Sequence, residues 1–249
     1  MKSYICIKRV PDTETRIKIA GDGTSIDPAG VKYIISPYDE IAIEAALQFR
    51  DVGSEGEVVA LSLGDGAAGE QLRSALAMGA DRAVLLKGET GMDGLAAAKG
   101  LAAELKESDV DLILFGMKAA DDDQQQVGPM VAELLGLPCV TVVAEMEYED
   151  DKLVCHREVD GGSEVVEVTL PAVVTITKGK YEPRYPSLKG IMAAKKKPLE
   201  EKDAAGAPGR VKVKKLMEPP PRPEGRIVGE GVDAVPELVR LLRDEAKVL

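Results

Sequence analysis

The chain has 249 residues, of which 45% are hydrophobic and 30% are charged, and its formal charge at pH 7 is −11. This composition is typical of a globular protein that is long enough to bury a sizeable core. An acidic chain without Trp, and with only two Phe and six Tyr, lacks the basic face and the stacking surface that nucleic-acid binding requires. We therefore expect no nucleic-acid partner.

The amino-terminal stretch MKSYICIKRVPD lacks the apolar core of a signal peptide, and no run approaches the ~18 apolar residues of a membrane span. The three cysteines, Cys6, Cys139 and Cys155, form no CxxC pair, which favours free thiols in a reducing compartment. We expect a cytoplasmic protein that is not membrane-embedded, or a mitochondrial matrix protein if the source is eukaryotic.

Short apolar runs alternate with amphipathic segments over the first two-thirds of the chain. Ser36 is a plausible N-cap, Pro37 suits the first helical position, and acidic residues follow in the first turn. Continuous apolar strands separated by helices predict a parallel sheet with both faces covered, which is a doubly wound α/β fold. The predicted strands are residues 4–10, 57–63, 83–86, 111–116 and 139–143, and the predicted helices are residues 37–49, 70–78, 93–106 and 127–135.

The pattern changes after residue 143. Alternation in residues 147–159 and 164–170 predicts β-hairpins added to the sheet, and residues 171–176 predict one more core strand. From residue 179 the chain is polar and rich in Pro, which favours a linker or an arm that lies on another surface. A helix is predicted at residues 235–248.

The segment GDGAAG at residues 64–69 matches GxGxxG and lies between a predicted strand and a predicted helix. A nicotinamide-nucleotide fingerprint would follow the first strand and would be succeeded by an acidic residue at a strand end, for which Glu89 is only a loose candidate. The segment also fits a tight strand–helix turn, or a loop that lines another kind of nucleotide site.

The segment KAADDDQQQVGP at residues 118–129 has three interpretations. Its carboxylates could bind a metal, although the only His in the chain, His156, has no partner cluster. They could simply precede a helix, where the macrodipole favours acidic residues. With a strand order of 3-2-1-4-5, the segment would lie at the point where the order reverses, and the amides from Gln126 to Gly128 would face a phosphate. Aspartate oxygens could then accept hydrogen bonds from ribose hydroxyl groups.

The segment EPRYPSLKGIMAAKKKP at residues 182–198 combines an apolar anchor, formed by Leu188, Ile191 and Met192, with a rim of lysines at 195–197. In an acidic protein such a surface suits docking of a partner, although it also fits a solvated basic turn.

Together these segments resemble the β (small) subunit of electron-transfer flavoprotein over nearly the whole chain, through IKRVPD, SPYDEIAIEAAL, ALAMGADRA, GMKAADDDQQQVGP, HREVDGGSEVVEVTLPAVVT and EPRYPSLKGIMAAKKKP. The resemblance implies an adenine-nucleotide α-hydrolase-like fold, and a heterodimer whose larger α subunit makes most contacts to a redox-active FAD. It also implies AMP in the β subunit, electron uptake from flavin-containing dehydrogenases such as acyl-CoA dehydrogenases, and delivery to a membrane quinone oxidoreductase. We expect no catalytic residue in this chain and no metal site.

The family's functional positions can be carried over by motif. Tyr38 matches an aromatic residue near the flavin, and Glu158 matches an acid that pairs with an Arg of the α subunit. Leu188 matches the apolar anchor of a recognition loop that docks dehydrogenases, with Tyr185, Ile191 and Met192 beside it. The cofactor-binding positions are Cys6, Ser36, Pro37, Tyr38, Asp39, Leu63, Gly116, Asp121, Asp122, Asp123, Gln124, Gln125, Gln126, Val127 and Gly128.

Val127 departs from the family pattern, because AMP-binding members carry Thr there and Val lacks the hydroxyl group. VPDT at residues 10–13 resembles electron-bifurcating, NADH-linked members that hold a second FAD in place of AMP. The unbroken aspartates at 121–123 resemble the AMP-binding kind, which we expect here. A stand-alone adenine-nucleotide-binding regulator is the alternative from a different class. We expect residues 1–198 to form the nucleotide-binding domain with its hairpins and recognition loop, and residues 199–249 to form an arm and a terminal helix on the partner subunit.

Overall fold

The computed structural model describes residues 1–53, 56–89, 91–149, 152–206, 208–221 and 224–249. Most strands belong to one nine-stranded sheet, and two short strands form a separate ribbon. The strands are β1 (Lys2–Cys6), β2 (Arg9–Pro11), β3 (Tyr33–Ile35), β4 (Glu57–Gly64), β5 (Arg82–Lys87), β6 (Leu112–Gly116), β7 (Cys139–Glu149), β8 (Lys152–Val159), β9 (Gly162–Thr169), β10 (Ala172–Ile176) and β11 (Leu199–Asp203). The helices are α1 (Pro37–Gly53), α2 (Gly69–Met78), α3 (Gly94–Lys106), α4 (Val127–Leu135), α5 (Leu188–Ala194) and α6 (Val235–Asp244).

The strand order of the large sheet is β11-β5-β4-β1-β6-β10-β7-β8-β9. The central strand β1 lies between β4 and β6 and is parallel to both, so the reversal of order falls between β1 and β6, as the sequence predicted. The predicted order was wrong at its last step, because β10 inserts between β6 and β7. The later strand β10 is as buried as β1, whereas the two strands after β7 are antiparallel additions at the edge.

Helices cover both faces of the sheet, which confirms the doubly wound α/β fold. Alternate residues of β1 point to opposite faces. Ile5 packs with residues of α1 and α2 such as Leu47 and Leu72, whereas Cys6 packs with residues of α3 and α4 such as Leu101 and Val131. Two separate apolar cores therefore flank the strands.

The long strand β7 joins two segments that the sequence analysis treated separately, because its first half pairs with β10 and its second half with β8. Between the halves the register shifts, and Val142 adopts a φ of 59°. Positive φ is strained for a β-branched residue. The N–H of Val142 donates to Thr175 Oγ1 at 3.0 Å, and Arg157 Nε donates to the carbonyl oxygen of Thr141 at 2.9 Å, so the bulge is supported from both sides.

The carboxyl-terminal segment begins later than predicted. β11 pairs in parallel with β5 at the edge of the sheet, so residues 199–203 belong to the domain. Ala204 also donates its N–H to the carbonyl oxygen of Lys87 at 2.8 Å and packs on the core, so the arm begins after it. The terminal helix α6 ends at Asp244 rather than at 248 and buries no side chain against the rest of the chain. Within the described ranges, no helix combines the length and the apolar composition that a membrane crossing requires.

Candidate functional site

A cavity of about 410 Å³ opens at the carboxyl ends of β4, β1 and β6. Its floor is formed by the ends of these strands at Cys6, Leu63 and Phe115, and its walls include Ala97 and Leu101 of α3. This position is the crevice in which open parallel α/β sheets bind ligands. The volume lies within the range of small-molecule sites.

Asp39 joins two neighbouring strand ends across the point where the order reverses. Its Oδ2 accepts the N–H of Lys8 at 2.8 Å, and its Oδ1 accepts the N–H of Gly116 at 3.0 Å. The side chain is only 6% exposed. Burial raises the pKa of Asp39 to about 7, although the two N–H donors and the charge of Lys8 act in the opposite direction. A buried carboxyl group thus holds the ends of β1 and β6 together beside the cavity.

The acidic loop, residues 117–126 between β6 and α4, carries its own counter-charges. Lys8 Nζ donates to Asp121 Oδ1 and to Asp122 Oδ2, both at 2.8 Å, and Lys118 Nζ donates to Asp123 Oδ2 at 2.9 Å. Burial lowers the pKa of Lys8, but its two carboxylate partners outweigh this and hold the pKa above its ordinary value. The aspartates therefore fix the loop to the end of β1. Among the described residues, no group of three or more His, Cys, Asp or Glu side chains is arranged to hold a metal.

Ser36 fixes the other side of the acidic loop. Its hydroxyl accepts the N–H of Ala120 at 3.3 Å and lies 3.5 Å from the carbonyl oxygen of Lys118. Ser36 immediately precedes Pro37, the first residue of α1, so it occupies the N-cap position that the sequence predicts. Its backbone carbonyl accepts the N–H groups of Asp39 and Glu40, whereas its hydroxyl group binds the acidic loop.

The amino terminus of α4 faces the cavity with unsatisfied donors. Its N-cap residue, Gln126, makes no side-chain capping bond. Within the described part of the chain, the N–H groups of Val127 and Gly128 have no acceptor. Both residues line the cavity. By contrast, Asp93 caps α3 through the N–H of Ala96 at 2.8 Å. Free N–H groups at a helix start attract an anion such as a phosphate.

The segment GDGAAG forms a tight turn that also lines the cavity. β4 ends at Gly64, a short 3-10 turn spans Gly66–Ala68, and α2 follows directly. Asp65 accepts the N–H of Ala67 at 3.0 Å, which stabilises the turn. Two of the sequence interpretations, a tight strand–helix turn and a loop that lines a nucleotide site, are compatible here. The segment forms a local turn, and its residues Gly64 and Ala68 also line the cavity.

The cavity collects most of the cofactor-binding residues inferred from sequence. Four of the predicted residues do not line it, namely Ser36, Pro37, Tyr38 and Asp123. The ring of Tyr38 instead faces Lys118, whose Nζ is 5.8 Å from the ring centroid. The predicted residues that line the cavity are Cys6, Asp39, Leu63, Gly116, Asp121, Asp122, Gln124, Gln125, Gln126, Val127 and Gly128.

Sequence reasoning missed Lys8, Arg9 and the α3 wall of the cavity. Lys8 lies two residues after the last residue of the buried strand β1, at the edge of the sheet where ligands bind, and this position could have identified it. The α3 residues carry no such signal, because Ala97 and Leu101 are ordinary members of an apolar helix face.

A second candidate region is the α5 surface, formed by Tyr185, Leu188, Ile191 and Met192. These side chains are 96%, 84%, 45% and 64% exposed, respectively. Isolated exposed apolar residues are common, but four on one short segment mark an interaction surface. The predicted basic rim is smaller than expected, because Lys197 turns inward and donates to the carbonyl oxygen of Leu76 at 3.1 Å.

The remaining predicted partner contact, Glu158, is exposed on β8 of the added hairpin. The three cysteines are free thiols, with Cys6 and Cys155 buried and Cys139 exposed. Burial raises the pKa of the Cys155 thiol to about 12, and burial also raises that of Cys6, so both are poor nucleophiles.

Comparison with known proteins defines the class. Residues 24–207 match the family model described as the electron transfer flavoprotein domain. The chain is 43% identical over its whole length to the electron transfer flavoprotein subunit beta of Syntrophomonas wolfei, of which 98% is covered. It is 42% identical to the subunit beta of Bradyrhizobium diazoefficiens and 37% identical to the mitochondrial subunit beta of Arabidopsis thaliana, with each chain covered completely.

The chain therefore belongs to the electron transfer flavoprotein family. It aligns from end to end with beta subunits of that family, as the sequence motifs indicated.

Proposed function

We propose that this chain is the nucleotide-binding, partner-docking subunit of a heterodimeric electron carrier. An α subunit would supply most contacts to FAD, and this chain would contribute one wall of that site. Electrons would enter from flavin-containing dehydrogenases and leave to a quinone oxidoreductase. The redox chemistry is that of FAD, and this chain would make or break no covalent bond itself.

The observation that carries the nucleotide proposal is the cavity beside α4. It combines unsatisfied N–H groups at a helix start, a loop fixed by ion pairs, and an apolar floor between α3 and the strand ends. The free N–H groups suit a phosphate, and the apolar surface formed by Leu63 of the floor and Leu101 of the wall suits an adenine ring. These features fit AMP, which we propose as the ligand.

The aspartates take a different role in this proposal from the one that the sequence suggested. Asp121 and Asp122 already accept hydrogen bonds from Lys8, so their first task is to shape the loop. Each carboxylate retains further acceptor positions that could receive ribose hydroxyl groups. We propose that the phosphate binds beyond them, at Val127 and Gly128.

The decisive experiment releases the nucleotides from the purified heterodimer and counts FAD against AMP. One FAD with one AMP per heterodimer is expected. Two FAD with no AMP would instead assign this chain to the NADH-linked bifurcating type. The rival class is tested by co-expression, because a stand-alone nucleotide-binding regulator would remain monomeric and would not capture an α subunit.

The docking proposal rests on the α5 surface and is tested with Leu188→Ala. We expect the KM of an acyl-CoA dehydrogenase for the carrier to rise about tenfold, the usual effect of truncating a central apolar anchor, with flavin content unchanged. Leu134→Ala is the matched control, because Leu134 is also exposed but lies near the carboxyl end of α4. Equal kinetics for the Leu188 variant and the wild type would remove the α5 surface as the docking site.

A further inference from the structure

α5 has only seven residues, which is too short for a helix to be stable without support. Most of its apolar side chains point outward, and only Ala194 is buried. Its conformation therefore cannot come from burial of its own apolar face. The polar contacts of this segment with α1 and α2 must hold it in place.

The carboxyl end of α5 is tied to α2 by two cationic side chains. Arg73 Nη1 donates to the carbonyl oxygens of Ala194 and Lys197, at 2.6 and 2.8 Å. Lys197 Nζ donates in turn to carbonyl oxygens at the end of α2. Nearer its amino end, α5 lies very close to α2, because a Cβ atom added at Gly190 would be 2.6 Å from the carbonyl oxygen of Ala77.

The amino end of α5, where Leu188 is the first helical residue, is held differently. Ser187 accepts the N–H of Gly190 at 3.0 Å, which is a local cap and does not attach the helix to the domain. The attachment is made by Arg184. Its Nε donates to Glu44 Oε2 at 2.7 Å, its Nη2 to Glu44 Oε1 at 2.9 Å, and its backbone N–H to Glu44 Oε2 at 3.2 Å.

Glu44 is 3% exposed on α1, and both of its oxygens are used, since Gln48 Nε2 also donates to Oε1 at 2.8 Å. Burial raises the pKa of Glu44, but the hydrogen bonds from Arg184 and Gln48 outweigh it and hold the pKa below its ordinary value. A charged, bidentate pair that also receives a backbone N–H fixes both the side chain and the main chain of Arg184. The chain is thereby fixed four residues before Leu188.

We propose that Glu44, through Arg184, positions α5 so that Leu188 is presented to the dehydrogenase. Glu44 is a positioning residue, because it is buried on the far side of Arg184 and cannot touch the partner. The proposal rests on docking at the α5 surface. The α5 surface then binds the dehydrogenase well only when the amino end of α5 is already fixed, because ordering a loose segment during docking weakens binding.

The test measures the KM of an acyl-CoA dehydrogenase for four heterodimers: the wild type, Glu44→Gln, Leu188→Ala and the double variant. Glu44→Gln should raise KM about fivefold with kcat and flavin content unchanged. In the Leu188→Ala background the same change should raise KM less than about twofold, because the anchor that Glu44 presents is already absent. A purely structural role would give the same effect in both backgrounds.

Glu104→Gln is the matched control. Glu104 is also a largely buried glutamate on a helix, with its side chain 15% exposed, and it accepts from Lys202 Nζ at 2.7 Å, but it lies on α3 at the opposite face of the sheet. We expect its KM to equal that of the wild type. If Glu44→Gln does not assemble, Arg184→Lys keeps the charge, removes the bidentate geometry, and should raise KM in the same background-dependent way.

The outcomes separate the two proposals. If Leu188→Ala leaves KM unchanged, docking at the α5 surface is wrong and the role of Glu44 fails with it. If Leu188→Ala raises KM but Glu44→Gln and Arg184→Lys do not, or if they raise it equally in both backgrounds, only the positioning role fails. Hydrogen exchange at residues 188–194 gives an independent check, because release of the amino end of α5 should speed exchange there.

Discussion

Asp39 connects two strand ends that are distant in sequence through one buried carboxyl group. Its two backbone partners, Lys8 and Gly116, lie at the ends of neighbouring strands, and all three residues line the cavity. A carboxyl group in this position influences both the stability of the fold and the shape of the site. Its protonation therefore has a measurable consequence.

The first prediction concerns the pH dependence of stability. An unfolded chain releases the Asp39 proton near its ordinary pKa of 3.8, whereas burial holds it in the folded protein up to about pH 7. Between pH 3.8 and about pH 7 the folded state binds more protons than the unfolded state. The stability that the buried, protonated Asp39 contributes is therefore complete below pH 3.8, decreases as pH rises, and is lost once pH has passed about 7. The stability of the wild type relative to Asp39→Asn should fall by about 2 kcal/mol between about pH 5 and about pH 8. Urea unfolding at several pH values measures this, and a pH-independent difference would contradict it.

The second prediction concerns Val127, the first residue of α4. Val127→Thr places a hydroxyl group beside N–H groups that we propose to bind a phosphate. The dissociation constant for AMP should fall about tenfold, since a hydrogen bond to a charged group contributes about 1.5 kcal/mol. Isothermal titration of AMP into the nucleotide-depleted heterodimer measures the change.

Val211→Thr is the control for Val127→Thr, because Val211 is 72% exposed on the arm. An unchanged AMP affinity for Val127→Thr would place the phosphate elsewhere. A gain for FAD rather than for AMP would favour the bifurcating type.

At the scale of elements, the end of β6 and the start of α1 approach so closely that only glycine fits between them. A Cβ atom added at Gly116 would lie 2.5 Å from Asp39 Oδ1 and 2.6 Å from the carbonyl carbon of Tyr38. The close approach lets Asp39 reach the strand end. Gly128 is similar, since an added Cβ would lie 2.8 Å from Thr175 Cγ2, so substitution there would disturb the packing of α4 on the sheet as well as the cavity.

The third prediction is that Gly116→Ala lowers the free energy of unfolding by about 3 kcal/mol, because backbone atoms of α1 must move to admit the methyl group. Gly66→Ala is the control, since an added Cβ there meets nothing within 4 Å. It should change the free energy of unfolding by less than about 0.5 kcal/mol. Urea unfolding of both variants measures the two changes. Similar losses of unfolding free energy for the two variants would show that the backbone of α1 can shift to admit the methyl group at no large cost.

At the scale of the whole molecule, a packed domain is followed by an arm that lies largely in solvent. Within the described arm, Met217 is 74% and Ile227 is 88% exposed, and α6 buries no side chain. The contacts of the arm with the domain are few, such as the N–H of Val211 to Asp93 Oδ2 at 2.8 Å. An amphipathic helix with an uncovered apolar face gains its stability from another surface, which we propose is the α subunit.

The fourth prediction follows from this division. A chain that ends after Gly206 keeps all nine strands of the sheet. Its free energy of unfolding should therefore match that of the full chain within about 0.5 kcal/mol, while its yield of heterodimer with the α subunit falls at least about tenfold. Circular dichroism with urea and co-purification measure the two effects. Equal heterodimer yields would show that the arm is not needed for assembly.

Much of the fold was predictable because its signals are local. Apolar runs predicted the parallel strands β1, β4, β5, β6, β7 and β10, and most of the cofactor-binding residues inferred from the resemblance line the cavity. The exceptions show where local signals end. Ser36 occupies the helix-cap position that the sequence predicts, but its hydroxyl group accepts the N–H of Ala120 in the acidic loop, 84 residues away.

The residue pattern by itself determined the alternation of strands and helices, the doubly wound class and the family, since periodicity, helix-start residues and motifs are properties of short segments. Only the tertiary structure decided that β10 separates β6 from β7, that β11 completes the sheet, and that Asp39 and Gly116, 77 residues apart, share a hydrogen bond. It alone paired Glu44 with Arg184 across 140 residues. These contacts depend on which distant segments pack side by side, which is settled by the combined burial of the whole chain rather than by any one stretch of it.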